Sequence, residues 1–513
     1  MQFLLVKWIS DIHILYLYLK LNKKLLINIV SSVGQVVVTG LTYFLLYGFW
    51  VRELGATQLG IWSIVWTTTF FAAIANSGVP VGVVKFIAEA NSKGQINQLK
   101  AILTISVTIT AVLNLIICVL LYPSSSLIFD YLLSNKAHNS IAISIFPSAL
   151  LAFWVFSLSN VFMSALDGLQ VSYLKALLQI FSNLILFAFS FFFISEGLLG
   201  IAKAYIIYTT FLVSGGIILL AYRLKTPFLF TLQWDKIFFK EFVAFALKSQ
   251  FASVTTLLYD PVTKFFLAKY GTVENIAYYE MANRLVVQIR SIIVMANQVL
   301  IPKITEIATD LSQNITQLYA QTLIILITLS TPLFFALLFF APFISLAWIG
   351  SLQPLFIYSL YALVIGWFIN TLSVPAYFNN IGIGHLKFNI IQHIVTAFTN
   401  LFFSAIGGYL LGALGVVCGW SLSLIVSSWV LIVLFQNFYS IRFSDIRFRH
   451  DLFFWIILLV LVVITLFLHP MVESLWNWQI VVYFCAYVLW ILWIIRNSQL
   501  FDLLVLKVIK FNS

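Results

Sequence analysis

Charged residues are scarce in this chain. Asp, Glu, Lys and Arg make up 9% of its 513 residues, where a water-soluble protein carries about 25%. With 62% of the residues hydrophobic and 17% aromatic, too little polar surface is left to cover a water-exposed globule, so most of the exterior faces lipid. Cysteine is scarcer still. Cys118, Cys418 and Cys485 all lie inside apolar stretches and no CxxC occurs, which excludes a disulfide framework and a dithiol redox motif. The six histidines, His13, His138, His385, His393, His450 and His469, are scattered, without metal-ligand spacing to a carboxylate or cysteine. No GxxxxGK[ST] is present, so a P-loop does not hydrolyse ATP in this chain. Neither a catalytic residue set, a metal site nor a cofactor is expected.

What charge there is leans basic, with a formal net charge of +11. The cations sit in short gaps between apolar runs instead of clustering on a solvated domain, which argues against a nucleic-acid partner and for contact with anionic membrane lipid. Residues 1–24 are interrupted by Lys7, Asp11, His13 and Lys20 and carry Trp8, Tyr16 and Tyr18. That pattern reads as a cytoplasmic interfacial segment and not as a cleaved signal peptide.

A helix crossing a bilayer needs ~20 mostly apolar residues. By that measure the chain holds about fourteen spans, near 26–50, 61–84, 101–122, 141–165, 173–195, 198–221, 246–268, 278–301, 319–341, 356–378, 388–410, 413–435, 452–469 and 477–495. With the N-terminus inside, the outside loops hold only Arg52, Lys136 and Lys269. The inside segments hold most of the rest, including Lys20, Lys23, Lys24, Lys85, Lys93, Lys100, Arg223, Lys225, Lys236, Lys240 and Lys248. This asymmetry puts both termini in the cytoplasm. The expected organisation is helices 1–6 over 25–222, a cytoplasmic amphipathic linker over 223–247 containing Trp234 to Lys240, and helices 7–12 over 248–436. Helices 13–14 and a cytoplasmic tail follow over 437–513.

The two sets of six helices resemble one another. Asp167 to Lys175 and Asn379 to Lys387 both end in Leu-Lys, at an offset of 379 − 167 = 212. Gly55 followed by Trp62 matches Gly271 followed by Tyr278, at 271 − 55 = 216. Six is an even number, so both sets enter the membrane in one direction. The chain is therefore read as all-α and polytopic, with two six-helix lobes related by a pseudo-two-fold axis along the membrane normal, plus two extra C-terminal helices.

Polar residues at helical spacing mark faces turned from lipid. Span one carries Asn28, Ser32, Gln35, Thr39 and Thr42, read as a cavity wall; span four carries Ser157, Asn160, Ser164 and Asp167. Span eight aligns Glu280, Arg284, Gln288, Ser291 and Gln298, with Asn283, Arg290 and Asn297 as a second stripe. An Arg near mid-membrane costs ~2.5–3.5 kcal/mol on insertion scales and must face water, a partner or a ligand. Arg284 has Glu280 one turn earlier as a structural ion partner. Arg290 has no acid on its own helix and is read as lining a substrate path. In span seven, Pro261 is a hinge candidate, because it leaves the Leu257 carbonyl without its helical donor. Asp260 can pair with Lys264 at i,i+4 or bridge to an Arg of span eight, and Lys264 can snorkel toward the outer surface.

These residues resemble a known family. Val51-Arg-Glu-Leu-Gly-Ala-Thr-Gln-Leu-Gly-Ile-Trp62, with Gly78 and Lys85-Phe-Ile-Ala-Glu89 after it, is similar to the turn between the first two helices of the Wzx-type O-antigen flippases. Those proteins belong to the multidrug/oligosaccharidyl-lipid/polysaccharide exporter superfamily. Asp260 to Gly271, Tyr278 to Leu285 and Ile301-Pro-Lys-Ile304 resemble the matching segment of the second lobe. The resemblance implies a bacterial inner-membrane flippase that moves an undecaprenyl-diphosphate-linked oligosaccharide by alternating access. Its cationic cavity would be lined by Arg290, Arg284, Lys264, Asn28, Gln35 and Gln288. Asp260 or Glu280 would be candidates for a coupling H+ or Na+, and polysaccharide polymerase or assembly proteins would be its partners. The alternative is a cation-coupled multidrug exporter. A membrane-embedded glycosyltransferase or polymerase ranks lower, since no outside loop is large enough to carry its acid–base residues. On this orientation an alkaline phosphatase, active only after export, is expected to be inactive when fused after Phe230 and active when inserted beside Lys136; the reverse pattern would refute the orientation.

Overall fold

The computed structural model describes residues 23–442 except 75–77, 134, 228, 232–235 and 299–314. The interfacial N-terminal segment up to residue 22 and the two spans expected near 452–469 and 477–495 lie outside the described residues. All secondary structure among the described residues is helical, as the apolar runs predict. In order the helices are α1 (Lys23–Ile74), α2 (Gly78–Ser92), α3 (Ile96–Leu121), α4 (Ser125–Leu132), α5 (Lys136–Gly168), α6 (Ser172–Phe193) and α7 (Leu198–Leu224). The second set is α8 (Lys236–Leu257), α9 (Tyr259–Tyr270), α10 (Val273–Gln298), α11 (Ile315–Ile349), α12 (Pro354–Leu372), α13 (Val374–Ile383) and α14 (Lys387–Phe438).

Eight helical stretches among the described residues are long and apolar enough to cross a membrane. The 52 residues of α14 would reach roughly 78 Å if straight, more than twice the ~30 Å hydrocarbon core. Gly412 breaks it, with φ 63° and ψ −145°. Across this break a Cβ on Gly407 would fall 2.2 Å from the Gly415 carbonyl oxygen, and one on Gly419 would fall 2.4 Å from that of Phe403. Pairs placed evenly about residue 411 are the signature of an antiparallel fold-back, so α14 is two antiparallel helices. Gly55, at φ 82° and ψ 161°, breaks α1 in the same way.

The internal repeat is written into the turns. Gln170 (φ 56°) and Gly384 (φ 88°) are both left-handed, at an offset of 384 − 170 = 214. Gly197 (φ 64°) and Gly412 (φ 63°) follow at 412 − 197 = 215. The motif glycines Gly55 and Gly271 share a position but not a conformation, since Gly271 is extended at φ −128°. Packing repeats as well. The first limb of α1 lies on α6 as α9 lies on α14; α2 lies on α5 as α10 lies on α12; α3 lies on α5 as α11 lies on α12. The two sets meet along two seams, α1 on α10 and α2 on α8. A two-fold rotation that exchanges the sets exchanges these seams, as the repeat requires.

Two sequence expectations are refined. The stretch from Lys236 is no separate surface helix, because α8 runs unbroken to Leu257. Its Phe238 and Phe242 are buried and pack at ring-centroid distances of 5.4 and 5.6 Å from Phe86 of α2, an apolar stripe too large to leave in water. Span eight begins at Val273, five residues before the expected start. The break expected from Pro261 is present: helix stops at Leu257 and resumes at Tyr259.

Gly412 meets only the Tyr270 carbonyl oxygen, at 3.4 Å from a built Cβ, so the cost of a side chain there is conformational. Gly412→Ala is expected to destabilise by ~1–3 kcal/mol. Gly34, helical with nothing within 4 Å, gives the opposite sign on replacement by Ala, by ~0.5–1 kcal/mol. Thermal unfolding midpoints in detergent check both.

Candidate functional site

The break in span seven places Asp260 in the first turn of α9 and Lys264 one turn later. Span eight brings Glu280 and Arg284 alongside. The Lys264 Nζ lies 2.7 Å from Asp260 Oδ2 and 2.6 Å from Glu280 Oε2, and donates to Thr67 Oγ1 at 2.9 Å. Arg284 Nε donates to Glu280 Oε1 at 2.6 Å. Tyr47 donates its hydroxyl proton to the same oxygen at 3.2 Å. Ser63 stands 3.5 Å from Oε2. Glu280 therefore gathers both limbs of α1, α9 and its own helix. The Arg284 guanidinium also lies over the rings of Tyr43 and Tyr47, 4.8 Å from each centroid.

Two expectations are corrected here. Lys264 does not snorkel: its side chain is 6% exposed, because two carboxylates sit within reach and satisfy the ammonium where it is. Asp260 does not bridge to an arginine; it pairs with Lys264 on its own helix, while Arg284 is held by Glu280. The chain of four has an open side. The Asp260 and Arg284 side chains are 44% and 32% exposed, against 7% for Glu280.

Two acids and two bases cancel, and Arg290 is left over. It lies 17 residues from the start of α10, roughly 26 Å along the helix. Its Nε donates to Asn370 Oδ1 at 3.1 Å and its guanidinium lies 4.9 Å from the Trp367 ring centroid. Asn370 is fixed in turn by donating to Ser428 Oγ at 2.9 Å, and the Trp367 indole N–H donates to Asn283 Oδ1 at 3.1 Å. Among the described residues no carboxylate is within ion-pair distance of Arg290. Of the five guanidinium N–H groups, the four on Nη1 and Nη2 are left to receive an anion. The side chain is half-buried.

The other candidates make structural contacts. Asn28 accepts from the Tyr173 backbone N–H at 3.1 Å and donates to the Gln170 carbonyl at 3.4 Å, so it caps the start of α6. Gln35 donates to Thr39 Oγ1 at 3.2 Å, which also receives Asn183 Nδ2 at 2.7 Å. Gln288 donates to the Val36 carbonyl across the α1–α10 seam. These side chains tie helices together. Asp167 of span four forms a local ion pair with Lys175 at 2.6 Å.

Sequence reasoning missed the face of α14 that bears Asn389, Gln392, Thr396, Asn400 and Ser404, all buried. His393 flanks this face, with Tyr259 and Tyr377 on its ring nitrogens. The signal was the same three- and four-residue spacing that singled out span one.

Glu280→Gln removes the hub of a buried network and is expected to cost ~3–5 kcal/mol. Asp260→Asn, at the exposed end, is expected to cost under about 1 kcal/mol. Thermal melts of the two variants test this ordering.

The fold is shared with known transporters. An inward-facing multidrug resistance MATE family transporter matches with TM-score 0.67 and 17% identity over 80% of this chain and 98% of that one. The lipid II flippase MurJ, in an inward closed conformation, matches with TM-score 0.71 and 14% identity over 93% and 99%. A MOP-superfamily transporter from Pyrococcus furiosus, described by a reversed polarity of its binding pocket, matches with TM-score 0.58 and 16% identity over 80% and 95%. No curated protein sequence matches. The model of the family described as polysaccharide biosynthesis protein matches residues 25–308. That is more than half of the 513 residues. The chain is a membrane protein of the polysaccharide biosynthesis protein family, with the fold of the MOP-superfamily transporters.

Proposed function

We propose that this protein flips an undecaprenyl-diphosphate-linked oligosaccharide across a bacterial inner membrane, both termini in the cytoplasm, by alternating access through a cationic cavity between its two lobes. The observation that carries this reading is Arg290, a guanidinium on the helix expected as span eight, with one N–H committed to Asn370 and no carboxylate within ion-pair distance among the described residues. A diphosphate diester supplies the missing negative charge, and a guanidinium offers it paired donors. Family membership fits that cargo, as does the likeness to a flippase named for lipid II. Asp260, the exposed acid of the four-residue chain, is the candidate for a coupling H+ or Na+, since its charge can change without unpairing Glu280. The two spans expected near 452–469 and 477–495 would border the lipid tail, and polysaccharide polymerase or assembly proteins would receive the cargo.

The MATE neighbours favour a second reading, a cation-coupled multidrug exporter. A cationic drug would be repelled by Arg290, so one substitution separates the two. Under the flippase reading Arg290→Ala makes lipid-linked sugar units accumulate on the cytoplasmic face and lowers export at least tenfold, while Arg290→Lys retains part of the activity. Measured by leaflet-selective labelling of the lipid-linked saccharide, unchanged saccharide export with lowered drug sensitivity in Arg290→Ala cells would favour the exporter.

A further inference from the structure

The second limb of α1 carries an aromatic row that the charged network does not use. From Leu59 to Thr69 every residue is buried except Trp66, over a stretch long enough to include every face of the helix. Phe70, one turn on, is again half-buried. A helix at the bundle surface shows a row of well-exposed side chains, as Val37, Leu41 and Leu45 do on the first limb. A limb enclosed on its other faces opens instead toward the interior. Behind Trp66 lie two buried rings, Trp62 stacked at 5.7 Å and Tyr205 of α7 at 4.8 Å between centroids. The indole N–H groups of Trp154, Trp348 and Trp367 all donate to oxygen. That of Trp66 has no acceptor among the described residues.

This row borders the charged chain. Thr67, the next residue, accepts from Lys264, whose ammonium also holds Asp260. Tyr205 is an electrostatic neighbour of Arg284 and of Tyr43 and Tyr47, over whose rings the guanidinium lies. Tyr43 is half-buried, like Trp66. Asp260 is bound through Oδ2 and Arg284 through Nε. Asp260 Oδ1 and the Arg284 Nη groups have no partner among the described residues. The aromatic row is thus rimmed by one acceptor and several donors. A pyranose has the complementary surface. One of its faces is lined by C–H groups, which the negative face of a π system attracts, and its edge is lined by hydroxyls that donate and accept. A lipid tail would leave the rim groups unanswered, and a bare diphosphate would leave the rings unused.

We infer that a sugar ring of the cargo stacks on Trp66, with Phe70 and Tyr43 at its edges and its hydroxyls shared among Asp260, Arg284 and the Trp66 indole N–H. The inference rests on the lipid-linked saccharide proposed above and gives its sugar a seat apart from Arg290, which takes the diphosphate. Arg284 and Arg290 are 290 − 284 = 6 residues apart on α10, roughly 9 Å along the helix. A short saccharide is of that length, so one headgroup reaches both. Stacking asks only for a C–H face and accepts many sugars, while the rim selects how the ring is turned.

The test measures binding to the full chain in detergent with two probes. One is the methyl diester of undecaprenyl diphosphate, which has no sugar; the other is the undecaprenyl-diphosphate oligosaccharide extracted from membranes of the host cell. Wild-type protein is expected to bind the second about tenfold more tightly than the first. Trp66→Leu, which keeps apolar bulk without a ring, is expected to lose that difference with its affinity for the methyl diester unchanged, and Trp66→Phe to keep most of it. Asp260→Ala, at the exposed rim, is expected to shrink the difference about threefold. Equal binding of the two probes by wild type overturns the inference and leaves the cargo reading standing, and this arm needs no variant to fold. An undiminished difference in Trp66→Leu overturns it too, as does one in Asp260→Ala where Trp66→Leu does not fold. Loss of both probes alike in folded Trp66→Leu overturns it and marks Trp66 as packing alone. No binding of either probe by wild type overturns the cargo reading and the inference with it.

Discussion

A guanidinium held inside a bilayer has to be answered by water, an acid or a ligand, and the polar interior of this protein is arranged around that requirement. Four of the five charges described here answer one another. Lys264 stands between Asp260 and Glu280, and Glu280 between Lys264 and Arg284. Desolvating such a network is expensive, and the expense is offset only because every oxygen of Glu280 has donors from several helices. Arg290 is treated differently. It is fixed by neutral groups, the amide of Asn370 and the face of Trp367, which orient it without cancelling it. A charge that is oriented by neutral groups and has no acid partner among the described residues is suited to a mobile anion.

The same contacts bind the two helix sets to each other. Tyr47, Ser63 and Thr67 belong to the two limbs of α1, and all three reach the ion network of α9 and α10. Further along the seam Thr57 donates to Glu274 at 2.5 Å, and the Trp348 indole donates to the Phe44 carbonyl at 2.6 Å. On the other seam the contact is apolar, Phe86 of α2 among Phe238, Phe242 and Phe245 of α8. Polar bonds that can be exchanged for water hold one seam, and ring packing that can slide holds the other.

Much of this was legible in the sequence. Apolar runs marked the chain as all-helical and membrane-spanning, Asp260-Pro261 located the break before α9, and the four-residue step from Glu280 to Arg284 located their ion pair. Local spacing carries such information because both partners lie on one helix. The second partner of Lys264 was harder to see, since Glu280 comes from another helix and a lysine alone does not say whether an acid waits in space. Asn28 looked like part of a cavity stripe, yet its amide closes the start of α6, whose residues are some 145 positions away. His393 was passed over for want of metal-like spacing, because its partners are tyrosines from two different breaks. The turn residues show a further limit. Gln170 and Gly384 both take a positive φ although one is glutamine and the other glycine, so the repeat is plainer in backbone angles than in letters.

Everything proposed for the cargo depends on Arg290 facing water between the helix sets and not lipid. With Cys118, Cys418 and Cys485 replaced, the side chain of an Arg290→Cys variant can be tested directly with a small, membrane-impermeant methanethiosulfonate. The account predicts rapid labelling from the cytoplasmic side, slowed when lipid-linked saccharide is present. A thiol that ignores this reagent but reacts with a lipid-soluble maleimide, with no protection by the saccharide, would contradict it.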